Sequence, residues 1–522
     1  MATTNIQLTP REEQLRQLLL DVARYIDESK EIKEKLELRF AGGWIRDKLL
    51  KIESHDIDTA INAMTGFAFS TKMQEYLKDE DNLKKHSLEP TDVRNLHKIL
   101  ANPDKSKHLE TATTKIFGFD VDFVNLRKET YSEDSRNPQM EFGTAEEDAL
   151  RRDATINALF YNLHTDQVED FTGGLEDLRA KHIRTPLDPK TTFMDDPLRV
   201  LRLIRFASRL SFTIDSESEV CMSDPAVMEA LKLKISRERV GVELEKMLKG
   251  KNPRSALQFI DRLGLYSTIF TDPTLPDCPS PETPNWHIAY DCLEQLKSNA
   301  TPGSIYQFLV RSEDAKYLAW ILAALVPWAS LPQTPPIKQK GKPLLPLGGM
   351  VAREGIKADN KICSVVSGAF KHYQEITELK NAVKLNTVTL INARDTVGMT
   401  IRRWDSQGGH WRLQALFALL VEASLGKTSA TFGSYEELFR DWQAFIDHLE
   451  GMDLMDAPAL KSIISGTELS KALGGVKPGP WMKPALDVCM EWQLRNPGVD
   501  DPSGAIEEVK RRSKELNIPP SK

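Results

Sequence analysis

The chain has 522 residues, 40% hydrophobic and 28% charged, which is too long for one ordinary core and globular in composition. Its 28 glycines and 29 prolines are too few for a fibrous or disordered chain. The longest apolar run, 317–331, is broken by Pro327 and Ser330 and falls short of the roughly 18 residues a membrane span needs. A net charge of −7 argues against broad non-specific binding of nucleic acid, though not against a local basic groove.

In chain order, residues 1–36 read as one helix, with Leu15, Leu18, Leu19, Val22 and Tyr25 at helical spacing. The start has no apolar signal segment and carries Glu12 and Glu13, so neither secretion nor a cleaved mitochondrial leader is supported. From 37 to 178 short apolar strands (39–41, 57–61, 121–126, 158–161) alternate with helical stretches. Beyond about 190, helical periodicity dominates, interrupted by a Pro- and Gly-rich segment at 331–349 that reads as a long loop. The five cysteines at 221, 278, 292, 363 and 489 form no CxxC pair, which excludes a zinc ribbon and fits a reducing compartment. The expected fold is α+β, a mixed head followed by helical neck, body and tail.

Chemistry concentrates in the first half. At 40–50, FAGGWIRDKLL, a strand runs into Gly42-Gly43 and then an amphipathic helix. Glycines permit close backbone approach, the helix start favours phosphate, and Arg46 one turn in can add a guanidinium fork. A purely structural turn is the alternative. About 13 residues on, a span suited to one short helix and a return strand, HDIDTA places Asp56 and Asp58 at i and i+2 on a strand, hence on one face. Two adjacent carboxylates need a cation between them or a raised pKa. Mg²⁺, held by one or two carboxylates plus substrate phosphates, suits them; an exposed polar strand edge is the other reading. Asp120 and Asp122 repeat the spacing in FDVDFVNLR, as a metal-proximal acid or base at Asp122 or as a solvated strand face.

Together, GGWIRD and HDIDTA resemble the first motif of the polymerase β nucleotidyltransferase superfamily, in its tRNA nucleotidyltransferase/poly(A) polymerase branch, often called class II. The resemblance continues in order through RRDATINA (151–158), DFTGGLEDL (170–178), DDPLR (195–199, where the branch normally has EDxxR) and ISRERV (235–240). It covers 40–245 well and the second half weakly. It implies a nucleotidyltransferase head at 37–178 after an N-terminal helix at 1–36. A base-recognising neck would follow at 179–256, a helical body at 257–400 and a tRNA-binding tail at 401–522. It implies template-independent addition of C, C and A to tRNA 3′ ends from CTP and ATP, with Mg²⁺ as cofactor and pyrophosphate released. The alternatives are a poly(A) polymerase, a partial CC- or A-adding enzyme, or an inactive RNA-binding relative. The stretch 97–115 looks like the eukaryotic form of the branch and reads as a mobile loop over the site. The cytoplasm is the expected compartment, with nucleus and mitochondrion left open, and the oligomeric state is unspecified.

By resemblance, Asp56 and Asp58 would hold the metal and Asp122 would assist. Gly42, Gly43 and Arg46 would place phosphates, with Arg202 and Arg205 as further contacts. Arg152 would bind the nucleotide and Asp153 a ribose hydroxyl. Adjacent arginines on a helix cannot face the same way, so one of Arg151 and Arg152 would bridge structure and the other the ligand, unless both pair with Glu146 or Glu147. Residues 181–210 hold seven Lys and Arg against three acids, a local +4. A neck helix read from Asp195 places Arg199, Arg202, Arg205 and Arg209 along one drifting face without acid partners, which calls for an anion. Asp196 and Arg199, one turn apart, would read the base: an acceptor-only carboxylate and a donor-only guanidinium complement the amine and ring nitrogen of cytosine and adenine, and mismatch uracil and guanine. An intrahelical salt bridge is the alternative use of that pair.

Overall fold

The computed structural model describes residues 6–89, 112–132, 135–333, 345–386, 393–425 and 435–520. The chain folds as two compact units, residues 1–243 and 244–522.

In the first unit, helix α1 (Pro10–Ser29) opens with a capping box: the Thr9 side chain accepts from the Glu12 amide, and Glu12 accepts in return from the Thr9 amide. The helix stops short of residue 36 because Lys30 turns left-handed at φ 57°. Strand β1 (Leu38–Ala41), helix α2 (Gly43–Leu49) and strand β2 (Asp56–Ile61) follow, then helices α3 (Gly66–Tyr76) and α4 (Glu80–Lys85). Strands β3 (Ala112–Ile116), β4 (Phe119–Asn125), β7 (Leu159–Asn162) and β8 (Gln167–Asp170) complete a six-stranded sheet in the order β3-β4-β2-β1-β7-β8. A separate hairpin pairs β5 (Arg127–Ser132) with β6 (Ser135–Phe142). Of the stretch 97–115, residues 112–115 belong to β3, and the remainder lies outside the described residues.

The sheet is two-faced because side chains alternate. Phe40, Ile57, Ile61, Val121 and Phe123 point into a core with Leu15, Leu18, Leu19 and Val22 of α1. On the opposite side Ala41, Ala60 and Ala158 form a second, small-residue core with Leu126, Ala145, Ala149 and Phe160. Alanines there let the helix Ala145–Leu150 sit close to the sheet. β2 and β4 run parallel, with Asp56 opposite Asp120 and Asp58 opposite Asp122.

The neck helix expected to run from Asp195 starts at Leu198 instead. Pro189–Asp195 and Leu198–Leu210 are separate helices, and Asp196 between them is extended (φ −134°, ψ 93°). Pro197 explains the break, since proline disfavours the helical conformation in the residue before it. A short parallel pairing of His182–Ile183 with Thr213–Ile214 anchors the neck's start.

The second unit is helical. Its centre is the helix Asn360–Lys384 against Trp411–Leu425, with Phe370 and Phe417 rings 4.7 Å apart. Within the segment read as a loop, Leu347–Met350 forms a helical turn, and residues 334–344 lie outside the described residues. A Cβ on Gly348 would lie 2.2 Å from the Phe370 ring, so packing demands glycine there. The end of the chain has its own core around Leu469, Trp481, Cys489 and Val509.

Candidate active site

The carboxylates gather where β2 and β4 begin. Asp58 and Asp122 stand side by side across the parallel pair, with Asp56 two residues along the same face. Loss of solvent around its carboxyl pushes Asp58, whose residue is still exposed on the strand face, above its ordinary value; Arg152 opposes that, and the charges of Asp122, Asp56 and Asp148 reinforce it. Asp122 accepts from the Thr113 hydroxyl at 2.6 Å. Among the described residues, no hydrogen-bond donor satisfies the side chains of Asp56 or Asp58, and no group of three or more His, Cys, Asp or Glu forms a ready-made metal cage. Hard oxygen ligands crowded together, with Asp56 and Asp58 lacking donors, suit Mg²⁺, which takes part of its shell from substrate phosphates.

Gly42 sits against this face at φ 73° and ψ −130°, a conformation that excludes side chains. A Cβ there would lie 2.7 Å from Arg152 Nη1 and 3.7 Å from Asp58 Oδ2. The Gly42 amide donates to the Leu159 carbonyl at 3.0 Å within the sheet. The Gly42 amide is thus taken up by the sheet, while Gly43 opens the helix α2.

Arg46, expected to hold phosphate, is turned inward. It is 4% exposed, bonds Asp47 Oδ1 through Nε at 2.8 Å, and donates to Asn157 Oδ1 from Nη1 at 2.5 Å. Burial lowers its pKa, against the pull of Asp47.

Both arginines of the RRD motif are held by one acid. Asp148 Oδ1 takes Arg151, and Asp148 Oδ2 takes Arg152. The expected divergence of the pair does not occur, because Arg151 caps the helix and Arg152 lies beyond it, where helical geometry no longer separates them. Neither Glu146 nor Glu147 is their partner. Asp148 stands three and four residues before the two arginines, the spacing that signals such a pair in the sequence. Burial would raise its pKa, but Arg152 and Arg151 outweigh that and hold it low.

The neck arginines are not without acids. Arg202 Nε bonds Asp153 Oδ2 at 2.6 Å, Arg205 Nε bonds Glu243 at 2.6 Å, and Arg209 reaches Asp47 Oδ2 at 3.3 Å. Arg199 Nη2 donates to the Arg151 carbonyl at 2.7 Å. Their partners lie 38 to 162 residues away in sequence, beyond any helical pattern. Buried Asp153 also accepts from Asn157 Nδ2; despite burial, Arg202 and that amide bring its pKa down to about 2. Asn157 thus links Arg46, Arg152 (through its carbonyl) and Asp153, a hub not singled out from the sequence. Asp196 accepts from the Leu198 amide at 3.3 Å through its side chain and from the Arg199 amide at 3.0 Å through its carbonyl, so one hydrogen-bonded turn joins it to Arg199 although Asp196 itself lies just ahead of the neck helix.

The DFTGGLEDL stretch proves architectural. Asp170 caps the helix Gly174–Ala180 through the amides of Gly174 and Leu175, both at 2.9 Å. Gly174 passes so close to Thr155 that a Cβ would lie 2.3 Å from its carbonyl oxygen. Asp177 ties Thr155 and Arg184 together.

Residues 38–184 match the model of the Poly A polymerase head domain, and 212–278 match a probable RNA and SrmB-binding site of polymerase A. The chain is 52% identical to nucleotidyltransferase lcsQ of Purpureocillium lilacinum, covering 98% of this chain and 93% of that protein. It is 40% identical to the mitochondrial CCA tRNA nucleotidyltransferase of Saccharomyces cerevisiae, covering 95% and 92%. The fold superposes on the Thermotoga maritima CCA-adding enzyme solved with tRNA at a TM-score of 0.61 and 17% identity, over 98% and 99% of the two chains.

Proposed function

The chain belongs to the tRNA nucleotidyltransferase/poly(A) polymerase family, and from that premise we propose how its residues carry the reaction. It is a nucleotidyltransferase that completes tRNA 3′ ends by adding C, C and A from CTP and ATP. One observation carries the assignment of the site: Asp58 and Asp122 stand in register on neighbouring parallel strands, and Asp58 faces Arg152 across Gly42.

Asp56 and Asp58 would hold Mg²⁺, with Asp122 beside them. When bound, the ion neutralises triphosphate charge and favours ionisation of the attacking 3′-hydroxyl. Gly43 would offer its amide to phosphate. Gly42, lacking a side chain, lets the nucleotide approach between Asp58 and Arg152. Arg152 would bind the phosphates, and Asp153, already oriented by Arg202 and Asn157, would accept from the ribose. Arg46 acts through Asn157 and Asp47 rather than by touching phosphate. Arg202, whose side chain is 39% exposed, retains a face for the ligand. Arg205, 14% exposed, braces the neck through Glu243 and contacts nucleotide only by exchanging that partner. Asp196 and Arg199 would select the base, converging from the kink and the first turn of the neck helix. The tail beyond 401 would contribute to gripping tRNA.

Among the described residues no helix is long and apolar enough to cross a membrane. Cytoplasm and mitochondrion are proposed as places of work, with the nucleus an outcome that cell fractionation decides.

A primer assay tests the function. tRNA lacking its end is offered CTP alone, ATP alone, or both. Two additions with CTP, one more with both, and no long tail with ATP are expected. A long ATP-only tail would make the chain a poly(A) polymerase, and a halt after CC with both nucleotides would make it a partial enzyme.

A further inference from the structure

One acid beside the nucleotide face has no part in the chemistry. Asp148 is 1% exposed. Its Oδ1 accepts from Nε and Nη2 of Arg151 at 2.9 and 2.5 Å, and its Oδ2 accepts from Nε and Nη2 of Arg152 at 3.1 and 3.0 Å. Arg151 has a second carboxylate, Glu129, at 3.1 Å. Arg152 has no other among the described residues. Its remaining bond runs from Nη1 to the Asn157 carbonyl at 3.0 Å, and its guanidinium rests on the Phe160 ring, 5.1 Å from the centroid.

Gly42 is the spacer between Arg152 and Asp58. The point where its Cβ would sit lies 2.7 Å from Arg152 Nη1 and 3.7 Å from Asp58 Oδ2. Cation and carboxylate thus face each other across a residue with no side chain. Yet among the described residues no ion pair joins them. A guanidinium has five N–H groups; three of Arg152's are used by Asp148 and Asn157, and two are left. An arginine freed beside a carboxylate pairs with it, and that pair would occupy the oxygens a divalent cation needs.

We propose that Asp148 is a positioning residue that holds Arg152 off Asp58, keeping the carboxylates open to a divalent cation and the last two N–H groups of Arg152 aimed at the nucleotide. The inference rests on Asp56 and Asp58 as metal ligands. It gives the buried acid a purpose that ordinary helix-end stabilisation does not, since Asp148 spends one oxygen on each arginine rather than both on one.

Equilibrium Mn²⁺ binding to the full-length chain, without nucleotide or tRNA, tests it. Asp58→Asn comes first: if Mn²⁺ binding is unchanged, the metal reading itself falls, independently of Asp148. With that reading intact, Asp148→Asn keeps the shape and removes the charge, and Mn²⁺ binding should weaken about two- to fivefold, the size of one partly exposed ion pair formed in competition. The double variant Asp148→Asn/Arg152→Gln should regain wild-type affinity or better, because the competitor is gone. Unchanged binding in Asp148→Asn, or a double variant as weak as Asp148→Asn, overturns the proposal. Should Asp148→Asn fail to fold, Arg152→Gln carries the test: it should tighten Mn²⁺ binding about two- to threefold by removing a nearby positive charge, and equal or weaker binding overturns the proposal.

Discussion

Replacing Gly42 and Gly43 by alanine, one at a time, separates two residues that look equivalent in the sequence. At Gly42 the backbone has φ 73° and ψ −130°, which costs an L-residue about 1–3 kcal/mol. The new methyl would also meet Arg152 Nη1 at 2.7 Å, closer than real Cβ contacts come. The arginine must shift, and it does so beside Asp58, where a displacement of about 1 Å can cost about 10²-fold in rate. Gly43 begins α2, and a Cβ there meets only the Arg46 guanidinium, at 3.4 Å or more. Gly42→Ala should therefore lose about 1–3 kcal/mol in denaturant unfolding and about 10²-fold in single-turnover CTP incorporation. Gly43→Ala should stay within about 0.5 kcal/mol of wild type. If Gly42→Ala matched Gly43→Ala in both measurements, steric control of Arg152 by the glycine would be refuted.

Asp58→Asn should abolish incorporation without loss of stability. Its pKa is raised in the folded state, so ionising Asp58 opposes folding. The stability gain over wild type should appear as pH rises from the acid range through that raised pKa; a destabilised variant at pH 7 contradicts this. Asp153 is the opposite case, with its pKa lowered to about 2. It contributes about 2 kcal/mol above pH 4 that is lost as pH falls towards 2. Asp153→Asn should therefore flatten the acid limb of the stability profile, and an unchanged limb would refute the Arg202 pairing as its cause. Asp196→Ala should relax selection among the four nucleoside triphosphates in the primer assay. Equal loss for all four, with CTP and ATP still preferred, removes its base-reading role.

Much of the head was legible from local spacing. Alternation in HDIDTA puts Asp56 and Asp58 on one face whatever surrounds the strand, and Ile57 and Ile61 on the other, as the sheet has them. A Gly-Gly pair ahead of an amphipathic run marks a strand-to-helix turn by backbone sterics alone. The ordered motifs from 40 to 245 carried the family and the reaction, because the chemistry constrains residue types at short range. The break at Asp196 is also written locally, in the proline that follows it, which disfavours the helical conformation at Asp196.

Tertiary structure decided which of those residues remain available to a ligand. From the sequence, Arg46 and the neck arginines were unattached cations. The partners of Arg202, Arg205 and Arg209, which are Asp153, Glu243 and Asp47, come from other elements and are named only when these pack, and only then does Asn157 join Asp47, the helix neighbour of Arg46, in consuming that arginine. The same packing sets Gly42 between Arg152 and Asp58, which come from other strands and turns. Local rules fix the direction a side chain leaves its own strand or helix, because that follows from backbone dihedrals. They carry no information about what it meets, because an ion pair is set by distances through space between segments whose order in the chain does not determine their order in the fold.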